Sequence, residues 1–430
     1  MADDGPVQFS LASSTSTKQG QKVPVEPTNT ERFKLAALFF MTAHALALWS
    51  VTFSKVLKAY GYEDIIPYVG NTSVTASLAA IVSPLIVGAL ADQRFSSERV
   101  LRWLCLGAGT FMALMFYAIQ EHWHWAVVVG LAQLLALWAM PSFGLSTSLV
   151  IARLSNPREQ FGPVRAAATL GWIVAGVMIS LVLRADSSVA SGYASALAWV
   201  VLIGITYTLK PMPPPGSKER RTLVDTLGLE AWTLLKDPNH RVVFIGAALY
   251  NMPLAAFYQF TPLHLDARGS SHAGLNMSIG QIMEVVGLLS LASLLTRFRL
   301  KWLFLAGIGF GALRYVLFAM DSLGTLRAGI FMHGILFTLF FMTAQIYLEQ
   351  RIPAAMRSRA QALLSLMMSG IGNLVGSLGC GWWWHACTKH DVTDWRLYWT
   401  GLTAVIGVIF LWFAISYQGR HPVAGMEDKA

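Results

Sequence analysis

The stretch Ser278-Ile279-Gly280-Gln281-Ile282-Met283-Glu284-Val285-Val286-Gly287-Leu288-Leu289-Ser290-Leu291-Ala292-Ser293-Leu294-Leu295 reads as a membrane crossing with an amide and a carboxylate near its middle. A spanning helix needs about 20 mostly apolar residues. A charged side chain at that depth costs about 2.5–3.5 kcal/mol on insertion scales, so such a group faces a protein interior or a water-filled path and often marks a substrate or ion route. Ser278, Gln281 and Glu284 recur every three residues, which places them along one helix face, while Ile282, Met283, Val285 and Val286 fall mostly elsewhere. Glu284 is therefore the first functional candidate; a structural pairing with a neighbouring helix is its other possible role.

Working outward, similar apolar runs occur at 35–56, 69–91, 100–119, 125–151, 167–182 and 190–209, then at 242–263, 275–295, 302–320, 329–347, 362–383 and 398–417. The chain is 55% hydrophobic and 13% charged, with a mean hydropathy of +0.52, against about 25% charged residues in soluble domains. These features predict an all-α integral membrane protein of about twelve transmembrane helices in two six-helix bundles, 31–209 and 241–417. Residues 1–30, rich in Ser, Thr, Gln and Pro, predict a disordered cytoplasmic tail, and 418–430 a second tail. The net charge of +9 sits in short clusters between apolar runs, which fits membrane orientation and not nucleic-acid binding. Cys105, Cys380 and Cys387 lack paired metal spacing, and no zinc triad or hydrolase turn is present, so neither a metal, a cofactor nor an enzyme is expected.

The segment 210–240 separates the two sixes. Pro211, Pro213, Pro214 and Pro215 stop the sixth helix, and Leu223, Leu227, Trp232 and Leu235 can form the apolar stripe of an amphipathic surface helix. Loops on the linker's side hold eighteen basic residues against seven on the other, which predicts that both termini and the linker are cytoplasmic. The run Trp382-Trp383-Trp384 fits an interfacial aromatic belt.

Six helices, a basic linker and six more resemble the major facilitator superfamily. The loop Gly88-Ala89-Leu90-Ala91-Asp92-Gln93-Arg94, with Arg99 beyond it, looks like a degenerate form of that superfamily's gating-loop signature. In such a loop, charge-assisted bonds can form and break as the two halves rock. Several stretches together are similar to the bacterial nucleoside:proton symporter family. These are Met140-Pro141-Ser142-Phe143-Gly144-Leu145, Arg165 to Trp172, Leu227-Gly228-Leu229-Glu230-Ala231-Trp232, Ser278 to Glu284 and Leu313-Arg314-Tyr315. Arg357-Ser358-Arg359-Ala360-Gln361-Ala362 and Val392-Thr393-Asp394-Trp395 complete the set. The resemblance implies secondary transport in a bacterial inner membrane, nucleoside uptake coupled to protons and a single chain as the working unit.

Arg165, Thr169 and Trp172, spaced four and three apart, share a face that suits a polar, planar ligand: a ring to stack on, a hydroxyl and a guanidinium. Arg165 can equally serve as a cytoplasmic anchor. The resemblance implies substrate contacts at Arg165, Thr169, Trp172, Gln281, Glu284 and Phe337. It also exposes two departures. Thr338, which cannot titrate, stands where the family places an acid, and the seventh helix shows Pro253 and Ala256 where polar amides are expected. Asn251, Tyr258, Gln259 and Thr338 are further candidate contacts. Glu284, Arg314, His44 and His333 are candidates for proton coupling or charge pairing, with Glu284 or backbone carbonyls as the expected partner of Arg314; both histidines can instead be hydrogen-bonded packing residues. Two other functions remain compatible with these residues: export or facilitated passage of another polyhydroxylated or aromatic solute, and a non-transporting membrane sensor or scaffold that uses the tail and linker.

Overall fold

The computed structural model describes residues 28–70, 73–93, 95–211, 229–353 and 356–419. Helix α1 runs Asn29–Ser50 and resumes after a break as Phe53–Ala59; α2 is Val74–Gln93, α3 Ser97–Gln120 and α4 Trp125–Ile151. Helix α5 is Pro157–Val177, extended by a π segment at Met178–Val182, and α6 is Ala190–Tyr207. In the second half α7 is Pro238–Ala267, α8 Ala273–Arg297, α9 Leu300–Ala319 and α10 Leu323–Arg351. Helix α11 passes from Arg357–Ser365 through a π segment, Leu366–Gly372, to Asn373–Cys387, and α12 is Trp395–Ser416. Eleven of these have the length and apolarity to cross a membrane, and α2 begins with the apolar segment Val74–Ser83.

Local chemistry sets the helix starts. Thr28 and Glu31 form a reciprocal capping box at α1, and Asp237 accepts from the amides of Asn239 and His240 with Pro238 opening α7. Ser322 and Asp394 cap α10 and α12 in the same way. Large apolar side chains such as Leu289, Val408 and Ile415 stay on the outside, as expected of a surface that meets lipid tails. Within the first half α1 packs on α5 and α6, and α3 on α4 and α6; within the second α7 packs on α11, α8 on α10, and α9 on α12.

The halves meet along α5–α8 and α2–α11, and the outer piece of α1 lies on α7. Among the described residues, polar bonds between them gather at the bundle end distal to the chain termini. There the buried Lys55 ammonium pairs with Asp266 at 2.8 Å, and Ser377 Oγ donates to the Pro67 carbonyl. Asp186 adds an inter-half cap: its Oδ1 accepts from the Gly274 amide at 2.8 Å, and Ser180 Oγ accepts from the Leu275 amide at 3.0 Å. Two orphan donors of α8's first turn are thus satisfied by the opposite half. Replacing Asp186 by Ala removes one cap worth about 1–2 kcal/mol. The expected shift toward a distally open state is about fivefold to thirtyfold, read as faster labelling of an Ile66→Cys reporter by an impermeant thiol reagent. Unchanged labelling would show that the cap does not hold this end shut.

Three expectations need adjustment. The second helix starts at Val74 and not at 69, because Val69 and Gly70 belong to the preceding turn. Leu223 and Leu227 lie outside the described residues, and the rest of the linker stripe forms a 3-10 helix at Leu229–Lys236. Residues 1–27 and 420–430 likewise lie outside them. Trp384 is no belt residue: it is buried against Phe260 at 5.3 Å, and Trp383 donates to the Tyr398 carbonyl, while Trp382 remains exposed. The indole ring of Trp384 buries more apolar area inside the half than it could at an interface. The connection to α12 also contains a small hairpin, Thr388–Lys389 against Val392–Thr393, which its sequence did not suggest.

Candidate functional site

Between the halves lies a cavity of about 270 Å³. From the first half it takes Ser50 and Ser54 of α1, Met140 of α4 and Trp172 of α5. From the second it takes Phe257, Tyr258 and Gln259 of α7, and Met277, Ser278 and Gln281 of α8. Its distal wall is the turn holding Ile66, Val69 and Gly70, beside the Pro67 and Lys55 contacts that join the halves. Pro253 lies inside α7 one turn before these residues, and its carbonyl accepts from Tyr315 Oη at 2.5 Å.

Of the expected α5 trio, Trp172 lines this cavity and Thr169 is buried in the helix packing. The Arg165 guanidinium sits over the Phe143 and Phe39 rings at 4.7 and 5.9 Å. On α8, Gln281 lines the cavity. Glu284 lies one turn further along, half-buried, and among the described residues no hydrogen bond or salt bridge holds its carboxylate. It is within electrostatic reach of Arg165 on the opposite half and of Tyr258 on its own. The α8 backbone is held here by α10: a Cβ on Gly334 would collide with the Glu284 amide, and one on Gly280 would come within 3.0 Å of the Ile330 carbonyl. This close crossing fixes the rotation of α8 that aims Ser278 and Gln281 inward.

The α7 candidates divide. Tyr258 and Gln259 line the cavity, and Gln259 Nε2 donates to Ser377 Oγ at 2.8 Å. Asn251 does not join them: its amide donates to the Met368 carbonyl at 2.9 Å and to Asn373 Oδ1 at 2.5 Å, tying α7 to α11. Phe337 and Thr338 open the π segment of α10, at Phe337–Met342, away from the cavity lining. Phe337 packs on Phe341 at 5.5 Å, and Thr338 is fully buried against Gly287.

Arg314 departs from expectation as well. Its NH1 meets His333 Nδ1 at 3.2 Å, and its guanidinium lies 4.5 Å from the Phe257 ring and 4.6 Å from that of Tyr315. Neither Glu284 nor a backbone carbonyl is its bonded partner among the described residues, since the aromatic faces and the imidazole occupy its surroundings. His333 stacks on Phe257 at 4.4 Å and reaches Tyr258 Oη through Nε2 at 3.1 Å. His44 meets the Gly171 carbonyl at 3.1 Å and stacks on Phe40, as a packing histidine does. In the expected gating loop, Arg99 is exposed on α3, while the Asp92 side chain and Arg94 lie outside the described residues.

Sequence reasoning missed Ser50, Ser54, Met140 and Met277 as lining residues, along with the Lys55–Asp266 pair. Two serines four residues apart, Ser50 and Ser54, inside the apolar run 35–56 were the available signal.

Residues 30–422 match the family model described as Nucleoside H+ symporter. The chain belongs to the nucleoside H+ symporter family. Within Escherichia coli (strain K12), the provisionally named nucleoside transporter YegT is 30% identical to this chain over 369 residues, covering 80% of this chain and 82% of that protein. The xanthosine permease of the same organism is 28% identical over 379 residues, covering 81% of this chain and 88% of the permease. A crystal structure of the nucleoside transporter NupG superposes on this chain with a TM-score of 0.78 at 23% identity, covering 90% of this chain and 99% of that one. The likeness establishes the fold as that of a major facilitator transporter, in line with the two bundles expected of the sequence. As a member of this family, the chain is a multi-pass membrane transporter of a small-molecule solute, and not an enzyme.

Proposed function

We propose that this chain imports nucleosides together with protons across a bacterial inner membrane, by alternating access of residues 31–209 against residues 241–417. The observation that carries the reading is one cavity, shared by the halves of a nucleoside H+ symporter family member, lined by the Trp172 indole from one half and by the Gln281 amide and the Tyr258 phenol from the other. A volume of about 270 Å³ lies just under the ~300–1,000 Å³ of ordinary small-molecule pockets, which suits a compact solute. Trp172 stacks on the base, and Gln281 supplies both donors and acceptors. Glu284, with Arg165 across the gap, accepts ribose hydroxyls from the deeper end. The excess of basic residues on the linker's side supports cytoplasmic termini, and in that orientation the distal contacts close the outward side. Protons are the coupling ion, no other cofactor takes part, and one chain suffices for transport.

Uptake of labelled uridine or adenosine into vesicles under an imposed pH gradient tests this. Accumulation that a protonophore collapses is expected; uptake no greater than in vesicles without the protein would defeat the reading. Trp172→Ala is expected to weaken nucleoside binding about tenfold to a hundredfold, since stacking of a base on an aromatic side chain is worth ~1–3 kcal/mol. Thermal stabilisation by a nucleoside series measures that loss, and an unchanged affinity would remove Trp172 from the site. The reading of an exporter or facilitator for another solute keeps one supporting observation: Thr338, in place of an acid, is fully buried and cannot carry a proton.

A further inference from the structure

The side chains Arg314, His333 and Tyr258 form a hydrogen-bonded row from the core of the second half to the cavity wall, and its direction can be worked out. A guanidinium has N–H donors and no acceptor, so at the 3.2 Å contact His333 Nδ1 must accept from Arg314 NH1. A neutral imidazole with Nδ1 accepting carries its proton on Nε2. His333 Nε2 therefore donates to Tyr258 Oη, 3.1 Å away. Tyr258 Oη is filled as an acceptor from behind, and its own proton is left to point into the cavity that Tyr258 lines. Arg314 and His333 are 1% exposed, and their stacking against Phe257 holds the row in register. Each bond in the row polarises the next, and all of them donate toward the ligand.

We propose that Tyr258 is a specificity-determining residue whose hydroxyl donates to a carbonyl oxygen on the base, so that the cavity selects nucleosides with oxo-substituted bases over their amino-substituted counterparts. Arg314 and His333 are positioning residues that act through Tyr258. An exocyclic oxygen offers lone pairs to this donor; an exocyclic amino group at the same place sets donor against donor, and both stay unsatisfied in a site shielded from water. The expected discrimination is about tenfold to a hundredfold, the range that one unsatisfied buried donor produces. The inference rests on the nucleoside reading and adds to it the class of base.

Binding of two matched pairs, inosine with adenosine and uridine with cytidine, to the purified full chain provides the test, by thermal shift and radioligand competition. The unmodified chain is expected to prefer inosine and uridine. Tyr258→Phe is expected to bring both ratios close to one by weakening the oxo members, while adenosine and cytidine hold their affinity and so report an intact fold. Arg314→Gln keeps a donor toward His333 but removes the charge, and is expected to give intermediate ratios. A merely structural role for the row would lower all four affinities together and leave the ratios unchanged, which overturns the proposal. A preference for adenosine and cytidine that Tyr258→Phe abolishes would place a ring nitrogen at Tyr258 and overturn the oxo assignment. If none of the four nucleosides binds the unmodified chain, the nucleoside reading itself falls, a failure distinct from equal binding of all four.

Discussion

Glu284→Gln is expected to abolish nucleoside binding, by at least about a hundredfold and at every pH between 6 and 8. A carboxylate can accept hydrogen bonds from two adjacent ribose hydroxyls, whereas an amide offers one acceptor and turns two donors toward groups that are themselves donors. The same substitution removes the negative charge that offsets Arg165 across the halves. Hydrogen bonds to a charged group contribute about 1.5–3 kcal/mol each, so losing the carboxylate as the acceptor for two hydroxyls is enough for a hundredfold effect. Equilibrium binding of labelled uridine across the pH series decides between two roles. Loss at all pH values identifies Glu284 as the group that grips the sugar. Binding that survives while uptake loses its dependence on the proton gradient would make Glu284 the proton carrier instead.

The second large effect is expected at Gly176, where α5 and α8 touch. A Cβ on Gly176 would collide with Ser278 Oγ and stand 2.5 Å from the Gly274 carbonyl oxygen, which is backbone and cannot swing aside. A Cβ on Gly274 would in turn stand 3.0 Å from Ser180 Oγ and 3.1 Å from the Gly176 carbonyl oxygen. Small residues at such a crossing let two helices approach closely, and here the approach is also what brings Asp186 and Ser180 onto the α8 amides. Gly176→Val therefore prevents distal closure without disturbing either half. Transport is expected to fall by more than about a hundredfold, because a carrier held in one state completes no cycle. Nucleoside binding from the distal side should persist, with the Ile66→Cys reporter labelled at its maximal rate. Normal turnover by Gly176→Val would mean that this contact is not part of the cycle.

The fold was legible because its strongest determinant, a run of apolar residues long enough for a bilayer, is local in sequence. The same holds for Gln281, whose spacing with Ser278 put it on the cavity face. What stayed hidden depends on how distant helices meet. Asn251 looked like a cavity amide, but packing of α11 on α7 consumes its donors on Met368 and Asn373. Arg314 looked like a partner for Glu284, yet ring faces and His333 surround it instead. Phe337 and Thr338 were assigned to the site by resemblance alone; Phe337 packs on Phe341 and Thr338 is buried against Gly287, at the start of a π segment. No single-helix pattern predicts a π segment, because its extra residue changes the facing of every side chain that follows. Lys55 and Asp266 could be read from sequence only as isolated loop charges, since nothing in either segment shows that the halves bring them to 2.8 Å.

The most direct test of a nucleoside cavity shared by the two halves is an experimental structure of the full chain at saturating uridine. The expected result is density for one nucleoside between α5 and α8, its base against Trp172 and within hydrogen-bond distance of Tyr258 Oη, its ribose toward Gln281 and Glu284. An empty cavity under those conditions, or uridine bound within one half alone, would contradict the account.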